Sequence, residues 1–307
     1  MFALFQNIEE LCYKIYFACI KIRNMVSNLK YKVISIDLDG TLLTSFFHTI
    51  TCKDLAQIGK YLNYGGKVFI NTGRSIHSTY RYLKLIEKTT KNPPSFVSCY
   101  NGAWIKDLSD NKIYQNLIEH EVAFKFYELA KKEKIQIWLY TPRCEQEAKV
   151  ESNLLSYRYR FLIWIARLTK LTKIKDINNL SSYKINFLSF SKKKIKNFFV
   201  LLKKLNFDRM CTICLTNFNL IEVTPLNINK AYAINFICKK YNIQPINTIA
   251  IGDSFNDVSA FKLVGLAIGV KPRNKMLYQY CNQIVSYKRS AVAFVINRYG
   301  FIEKNDK

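Results

Sequence analysis

The sequence predicts an α/β fold, a parallel sheet with helices on both faces, into which a second and smaller α+β unit is inserted. Three observations point there. Short, continuously apolar runs alternate with amphipathic helical stretches from Tyr31 onward, the signature of strands buried on both faces. Several of these runs end in small or acidic turn residues, such as Asp37-Leu38-Asp39-Gly40 and Gly252-Asp253. The rhythm breaks between about 108 and 217 and resumes after Leu220. The expected division is residues 1–30 as a separate helix, 31–107 with 218–307 as the main domain, and 108–217 as the inserted unit.

Within the first half of the main domain, Lys32–Ile36 is a β-rich run ending at an Asp-Gly turn. A helix over about 51–64 follows and is closed by Gly65-Gly66. Lys67–Asn71 is the second buried run and ends at Thr72-Gly73. A second helix, about 75–90, stops before Pro93-Pro94, because the residue before proline disfavours helix. Phe96–Cys99 is a third strand, closed by Asn101-Gly102. In the inserted unit, Ile135–Tyr140, Tyr183–Phe190 and Met210–Thr216 are expected strands, and Lys192–Leu205 a basic amphipathic helix. The run Tyr157–Lys175 has the pattern of a helix with a solvated basic face. The main domain then resumes with a helix over Lys230–Tyr241, the strand Asn247–Ile251, another helix and the strand Gly265–Val270.

At the amino end, Phe5, Ile8, Cys12, Ile15, Cys19, Ile22 and Val26 recur every three or four residues, one apolar stripe on a helix. Glu9, Glu10, Lys14, Lys21 and Arg23 interrupt it, so the ~18–20 apolar residues of a membrane span are not reached. The segment also lacks the basic start and small-residue cleavage site of a secretory signal. An amphipathic helix docked on the body, on a partner or peripherally on a membrane is the expectation.

The formal net charge of +25 favours phosphorylated ligands, nucleic acid or anionic membrane. The lysines are scattered rather than blocked, and no clustered arginine-aromatic motif accompanies them, so nucleic acid is not an expected partner. The nine cysteines are odd in number and irregularly spaced, which fits reduced thiols and a cytoplasmic protein. The single CxxC, Cys211-Thr212-Ile213-Cys214, lies in an apolar run with no second pair, as small hydrophobes in a strand would.

Four clusters carry candidate chemistry, and three of them directly follow expected strands. In an open parallel sheet, ligands bind beyond the carboxyl ends of the strands. Asp37 and Asp39, two residues apart with Gly40 permitting a tight exit, can supply a nucleophile and a general acid/base. An EF-hand is excluded, since no third ligand or terminal Glu follows at that spacing. Gly252-Asp253-Ser254-Phe255-Asn256-Asp257 brings a second acidic cluster, and a hard divalent cation takes carboxylates from two such ends. Thr72 and Gly73 offer a hydroxyl and backbone N–H groups leading into a helix, a natural phosphate cradle. Lys230 opens the helix leading to the Asp253 strand and can neutralise a phosphoryl group. His48, His77 and His120 lie in no nucleophile-elbow context, which disfavours a Ser-His-Asp hydrolase.

Together these clusters resemble the four motifs of the haloacid dehalogenase-like hydrolase superfamily, in the right order along the chain. Leu42-Leu43, Asn101-Gly102-Ala103 and Glu222-Val223-Thr224-Pro225 narrow the resemblance to its Cof-like subfamily of sugar-phosphate phosphatases. The resemblance covers about residues 31–300 and implies a Rossmann-like parallel core with an inserted α+β cap of the C2 type. It implies a Mg²⁺-dependent phosphatase acting on small phosphorylated metabolites through an aspartyl phosphate on Asp37, with Asp39 as acid and base. The implied metal set is the Asp37 carboxylate, the Asp39 backbone carbonyl and Asp253. Thr72, Gly73, Lys230 and Asn256 would hold phosphoryl oxygens, and Asp257 would orient Lys230. The sequence departs from the family pattern at Ala231, at Phe261 and at Lys271-Pro272, where an Asn-Ala pair is usual. Two alternatives stand beside this reading, a phosphotransferase or mutase with the same nucleophile, and a non-catalytic basic binding protein.

Overall fold

Strand β1 (Val33–Ile36) lies in the interior of an eight-stranded sheet, and alternation of its side chains explains how both faces of that sheet are covered. A computed structural model describes residues 29–43, 48–144, 147–153, 171–217, 219–272, 274–286 and 289–302. The expected helix over 1–30 lies outside the described residues except at its end. So does most of the run Tyr157–Lys175, whose last part is a strand rather than the expected helix.

In chain order the first elements are α1 (Cys52–Asn63), β2 (Lys67–Asn71), α2 (Ile76–Thr90), β3 (Phe96–Cys99), β4 (Trp104–Asp107) and β5 (Ile113–Gln115). Then come α3 (His120–Lys132), β6 (Gln136–Cys144), β7 (Glu147–Ser152), β8 (Leu171–Lys173), β9 (Lys184–Leu188), α4 (Lys192–Lys204), β10 (Cys211–Asn217) and β11 (Leu220–Pro225). The chain closes with α5 (Lys230–Lys240), β12 (Thr248–Gly252), α6 (Val258–Phe261), β13 (Leu266–Val270), β14 (Gln283–Val285) and α7 (Ala291–Tyr299).

The larger sheet has the order β14-β13-β12-β1-β2-β3-β4-β5 and is parallel from β14 to β3. The hairpin of β4 and β5 adds two antiparallel strands at one edge. Because side chains alternate across a strand, Ile34, Ile36, Val68, Ile70, Ile249 and Ile251 share a core with Ile58 of α1, Ile86 of α2 and Ile296 of α7. Val33, Phe69, Ala250 and Ala267 pack on the other face against Ala233, Ile234 and Ile237 of α5 and Ala260 of α6. Helix starts are set by polar caps: the Thr51, Ser75 and Asn229 side chains accept the N–H groups of Asp54, Ser78 and Tyr232.

The smaller sheet has the order β10-β11-β9-β6-β7-β8 and is antiparallel except between β7 and β8. One face, with Ile137, Leu139, Ile185, Phe187, Ile221 and Val223, is covered by Phe126 of α3 and Ile195, Phe198 and Leu202 of α4. On the opposite face Trp138, Tyr140 and Val150 belong to the same apolar cluster as the larger sheet's residues, so this face is turned onto the main domain. Sheet membership differs from the expected 108–217 interval by one strand at each end: β5 pairs in the larger sheet and β11 in the smaller. The tight β4–β5 turn returns the chain beside β4, and the β10–β11 hairpin carries the small sheet on to Pro225.

Candidate active site

The carboxyl ends of β1, β2 and β12 lie level with one another, since Ile36 is in register with both Ile70 and Ile251. Asp37 leaves β1 with its N–H bonded to the Ile251 carbonyl at 2.9 Å, and its side chain is 6% exposed. Thr72 follows β2 and is buried. Asp253 and Asp257 follow β12.

Lys230, the first residue of α5, is 1% exposed. Its Nζ donates to Asp37 Oδ1 at 2.7 Å and to Asp257 Oδ1 at 2.5 Å. Asn71 holds the start of this helix by donating its side-chain N–H to the Lys230 carbonyl at 3.0 Å. Burial opposes the lysine's charge, but Asp257 and Asp37 outweigh it and hold the ammonium above its ordinary range. The other oxygen of Asp257 accepts the N–H groups of Asp253 and Ser254, both at 3.0 Å. Asp257 thus ties Lys230 to the backbone of the loop that follows β12.

Carboxylate oxygens of Asp37, Asp253 and Asp257 lie within 4.8 Å of one another. Burial pushes the Asp37 carboxyl well above its usual range; Lys230 opposes this, while Asp257, Asp253 and Asp39 add to it. Three carboxylates thus gather around one lysine, an acidic cluster of the kind a divalent cation can occupy. The approach of the Asp253 loop to the Asp37 turn is made possible by Gly40. Its φ is +78°, and a Cβ there would lie 2.0 Å from Asp253 Oδ2. The donor set of hard carboxylate oxygens fits Mg²⁺.

The Asp39 carboxylate lies outside that acidic group and is half exposed. Arg74 grips it with two parallel bonds, Nε to Oδ2 at 2.6 Å and an Nη to Oδ1 at 2.5 Å. His48 Nδ1 stands 3.8 Å from the same carboxylate. Burial opposes the guanidinium's charge, and the Asp39 contacts more than offset it. Thr72 Oγ1 accepts the Arg74 N–H at 3.1 Å, and the Asn256 side chain donates to Asn101 Oδ1 at 3.0 Å. Thr41 Oγ is buried beside this turn without a hydrogen-bond partner. At the departing Lys271-Pro272, Lys271 is in the left-handed region (φ 40°), and its N–H is taken by the Val285 carbonyl at 2.7 Å.

A model of the haloacid dehalogenase-like hydrolases matches residues 34–296. The chain belongs to this family. With its Cof-like motifs it is a phosphoric monoester hydrolase of that fold. A Mycoplasma genitalium protein assigned as a phosphatase is 28% identical over 240 residues, covering 75% of this chain and 82% of its own. The Bacillus subtilis 5-amino-6-(5-phospho-D-ribitylamino)uracil phosphatase is 24% identical over 239 residues, covering 78% and 83%. Among solved structures, a haloacid dehalogenase-like hydrolase from Bacteroides thetaiotaomicron superposes with a TM-score of 0.72 at 20% identity, covering 87% of this chain and 99% of its own. A sugar phosphatase of subclass IIB gives 0.72 at 16% identity, covering 87% and 98%.

Arg74, Lys184 and Glu222 enter the site's surroundings without having been assigned a role from the sequence. Lys184 and Glu222 left a signal, each a lone charge inside an apolar alternating run, Tyr183–Leu188 and Leu220–Val223. The CxxC is a strand feature: burial pushes both Cys211 and Cys214 up to about 12, which suppresses their thiolates. Cys52, Cys99, Cys211, Cys214, Cys238 and Cys281 are free thiols. Among the described residues no helix is long and apolar enough to cross a membrane.

Proposed function

We propose that the protein hydrolyses phosphomonoesters of small polyhydroxylated metabolites, with Asp37 as nucleophile and Mg²⁺ as cofactor. The observation that carries this is the Lys230 bridge between Asp37 and Asp257, with the Asp253 carboxylate alongside. A buried carboxylate fixed by a lysine at a strand end is oriented for in-line attack on phosphorus. Bound Mg²⁺, held by the Asp37 and Asp253 carboxylates and the Asp39 carbonyl, would offset the charge of the phosphoryl oxygens.

In the first step an Asp37 oxygen bonds to phosphorus and the ester P–O bond breaks. Asp39, protonated and out of the Arg74 contact in the substrate complex, gives its proton to the departing alkoxide. In the second step the Asp39 carboxylate takes a proton from water, whose oxygen bonds to phosphorus as the acyl phosphate P–O bond breaks. Phosphate and the Asp37 carboxylate are regenerated. The Thr72 hydroxyl, the Gly73 N–H, Lys230 and Asn256 hold phosphoryl oxygens, while Asp257 keeps Lys230 aimed. The small sheet acts as the cap over the leaving group.

The substrate class rests on two likenesses, a phosphatase of a ribityl phosphate and a sugar phosphatase neighbour. Unpaired thiols support a reducing, cytoplasmic setting. A panel of phosphorylated sugars, polyols and nucleotides, assayed with and without Mg²⁺, is the test. Turnover of at least one sugar or polyol phosphate, dependent on Mg²⁺ and abolished in Asp37→Asn, is expected; unimpaired phosphate release by Asp37→Asn would refute the reading.

A further inference from the structure

We propose that a buried ion pair of the smaller domain, Lys184–Glu222, is a positioning device that orients two phosphate-holding groups of the main domain, Thr72 and Asn256. The inference rests on the phosphatase reading above and adds to it a route by which the cap's seat on the core sets the geometry of the anion pocket.

Lys184 on β9 and Glu222 on β11 project from the sheet face turned onto the main domain, and they are 4% and 7% exposed. Lys184 Nζ donates to Glu222 Oε1 at 2.6 Å and, across the domain boundary, to the Gly73 carbonyl at 2.6 Å. That carbonyl belongs to the peptide whose N–H, on Arg74, donates to Thr72 Oγ1 at 3.1 Å. A charge-assisted bond on the carbonyl polarises the peptide and strengthens its N–H as a donor. Thr72 Oγ1 is thereby held as an acceptor toward Arg74, leaving its own O–H to point at a phosphoryl oxygen.

The second branch runs through the carboxylate. Glu222 Oε2 accepts from Asn101 Nδ2 at 3.0 Å and from Thr216 Oγ1 at 3.0 Å. Asn101 Oδ1 in turn accepts from Asn256 Nδ2 at 3.0 Å. With its N–H committed to Glu222, the Asn101 amide can present only oxygen to Asn256, and this fixes which way the Asn256 amide faces. Asn101 sits in the left-handed region (φ 57°), with its own N–H on the Thr72 carbonyl at 3.0 Å, so the loop cannot swing away independently. Tyr100 of this loop stacks on Tyr183 at 5.1 Å and meets Tyr140 at 5.6 Å, which seats the small sheet beside the network. Burial alone would favour a neutral Glu222, but Lys184, Asn101 and Thr216 hold it below its ordinary range.

Two contacts thus cross from cap to core, Lys184 to Gly73 and Glu222 to Asn101, and each ends on a group beside the pocket. By linkage, an anion that binds better to the oriented pocket must stabilise the seated cap by the same factor.

The test compares Lys184→Met with the double variant Lys184→Met/Glu222→Gln. Removing one partner strands a buried charge, while removing both is often near neutral for folding. The double variant is expected to recover the wild-type melting temperature but to remain roughly 10–100-fold down in kcat/KM, the scale of an ångström misplacement. Its inhibition by inorganic phosphate should weaken in parallel. Recovery of activity together with stability would reduce the pair to a structural role and overturn the proposal. An independent readout uses the wild-type chain: Mg²⁺ with inorganic phosphate should slow amide exchange in 181–188 and 216–224 together with 71–75. Unchanged exchange in the two cap segments would also overturn it. Asp37→Asn, run beside these, separates the failures, since its full turnover would sink the phosphatase reading itself.

Discussion

Replacing Lys230 with Met removes the one positive charge that bridges Asp37 and Asp257, and its cost follows from the surroundings. The ammonium is 1% exposed and is bonded to both carboxylates at 2.7 and 2.5 Å. Breaking a buried pair by deleting one partner costs about 3–5 kcal/mol, because the remaining charge is left uncompensated. Here two carboxylates are stranded and a third, Asp253, lies within 4.8 Å, so the upper half of that range applies. For a chain of this size, each kcal/mol lowers Tm by roughly 2 °C, which puts Lys230→Met roughly 8–10 °C below wild type without metal. Asp257→Asn in the same chain removes one stranded charge and should return part of the loss. The assay is thermal unfolding by circular dichroism in chelator, repeated in millimolar Mg²⁺, where the variant should recover more than the wild type gains. A Lys230→Met protein that melts within about 2 °C of wild type in chelator, the value of an exposed pair of about 1 kcal/mol, would refute the charge accounting.

Gly40→Ala should lose Mg²⁺-dependent stabilisation and fall by about 1–3 kcal/mol, because a Cβ at φ +78° meets the Asp253 carboxylate; calorimetry with and without Mg²⁺ measures both effects. Glu222 gives a pH test of known sign. Its folded pKa is depressed below 4.5, so its stabilisation is complete above pH 4.5 and disappears as pH falls through the lower folded value. Wild-type Tm should therefore drop more steeply below pH 4.5 than that of Glu222→Gln, and parallel slopes would contradict this.

The parts of the fold that the sequence made legible are those with strong local patterns. Lys67–Asn71 and Phe96–Cys99 are continuous apolar runs flanked by turn residues, and both are strands with the expected bounds. Strands β4, β5, β7, β11 and β14 were not expected, and β8 falls in the run read as a helix; they are short or half polar, and pairing in the sheet rather than local preference makes them strands. Helix α3 is amphipathic but starts at Glu119 with no side-chain cap bond, so no clear start signal marked it. At the site, Asp37, Asp253, Asp257 and Lys230 were readable from position at strand or helix ends, and the structure brings them together. The Asp39 carboxylate, expected as acid and base, is held by Arg74. That contact depends on how two loops face each other, which no spacing within either loop encodes. The bonds from Lys184 to Gly73 and from Glu222 to Asn101 are of the same kind, since they depend on how the two sheets are docked.

Phosphoryl transfer from substrate to water through Asp37, as proposed above, can be caught by quenching the enzyme in acid during turnover of a sugar phosphate and mapping the modified peptide by mass spectrometry. A phosphoryl group on the Asp37 carboxylate, absent in Asp37→Asn and labile to hydroxylamine, is the predicted result. Turnover with the phosphoryl group on another residue, or with none trapped while Asp37→Asn stays active, would contradict it.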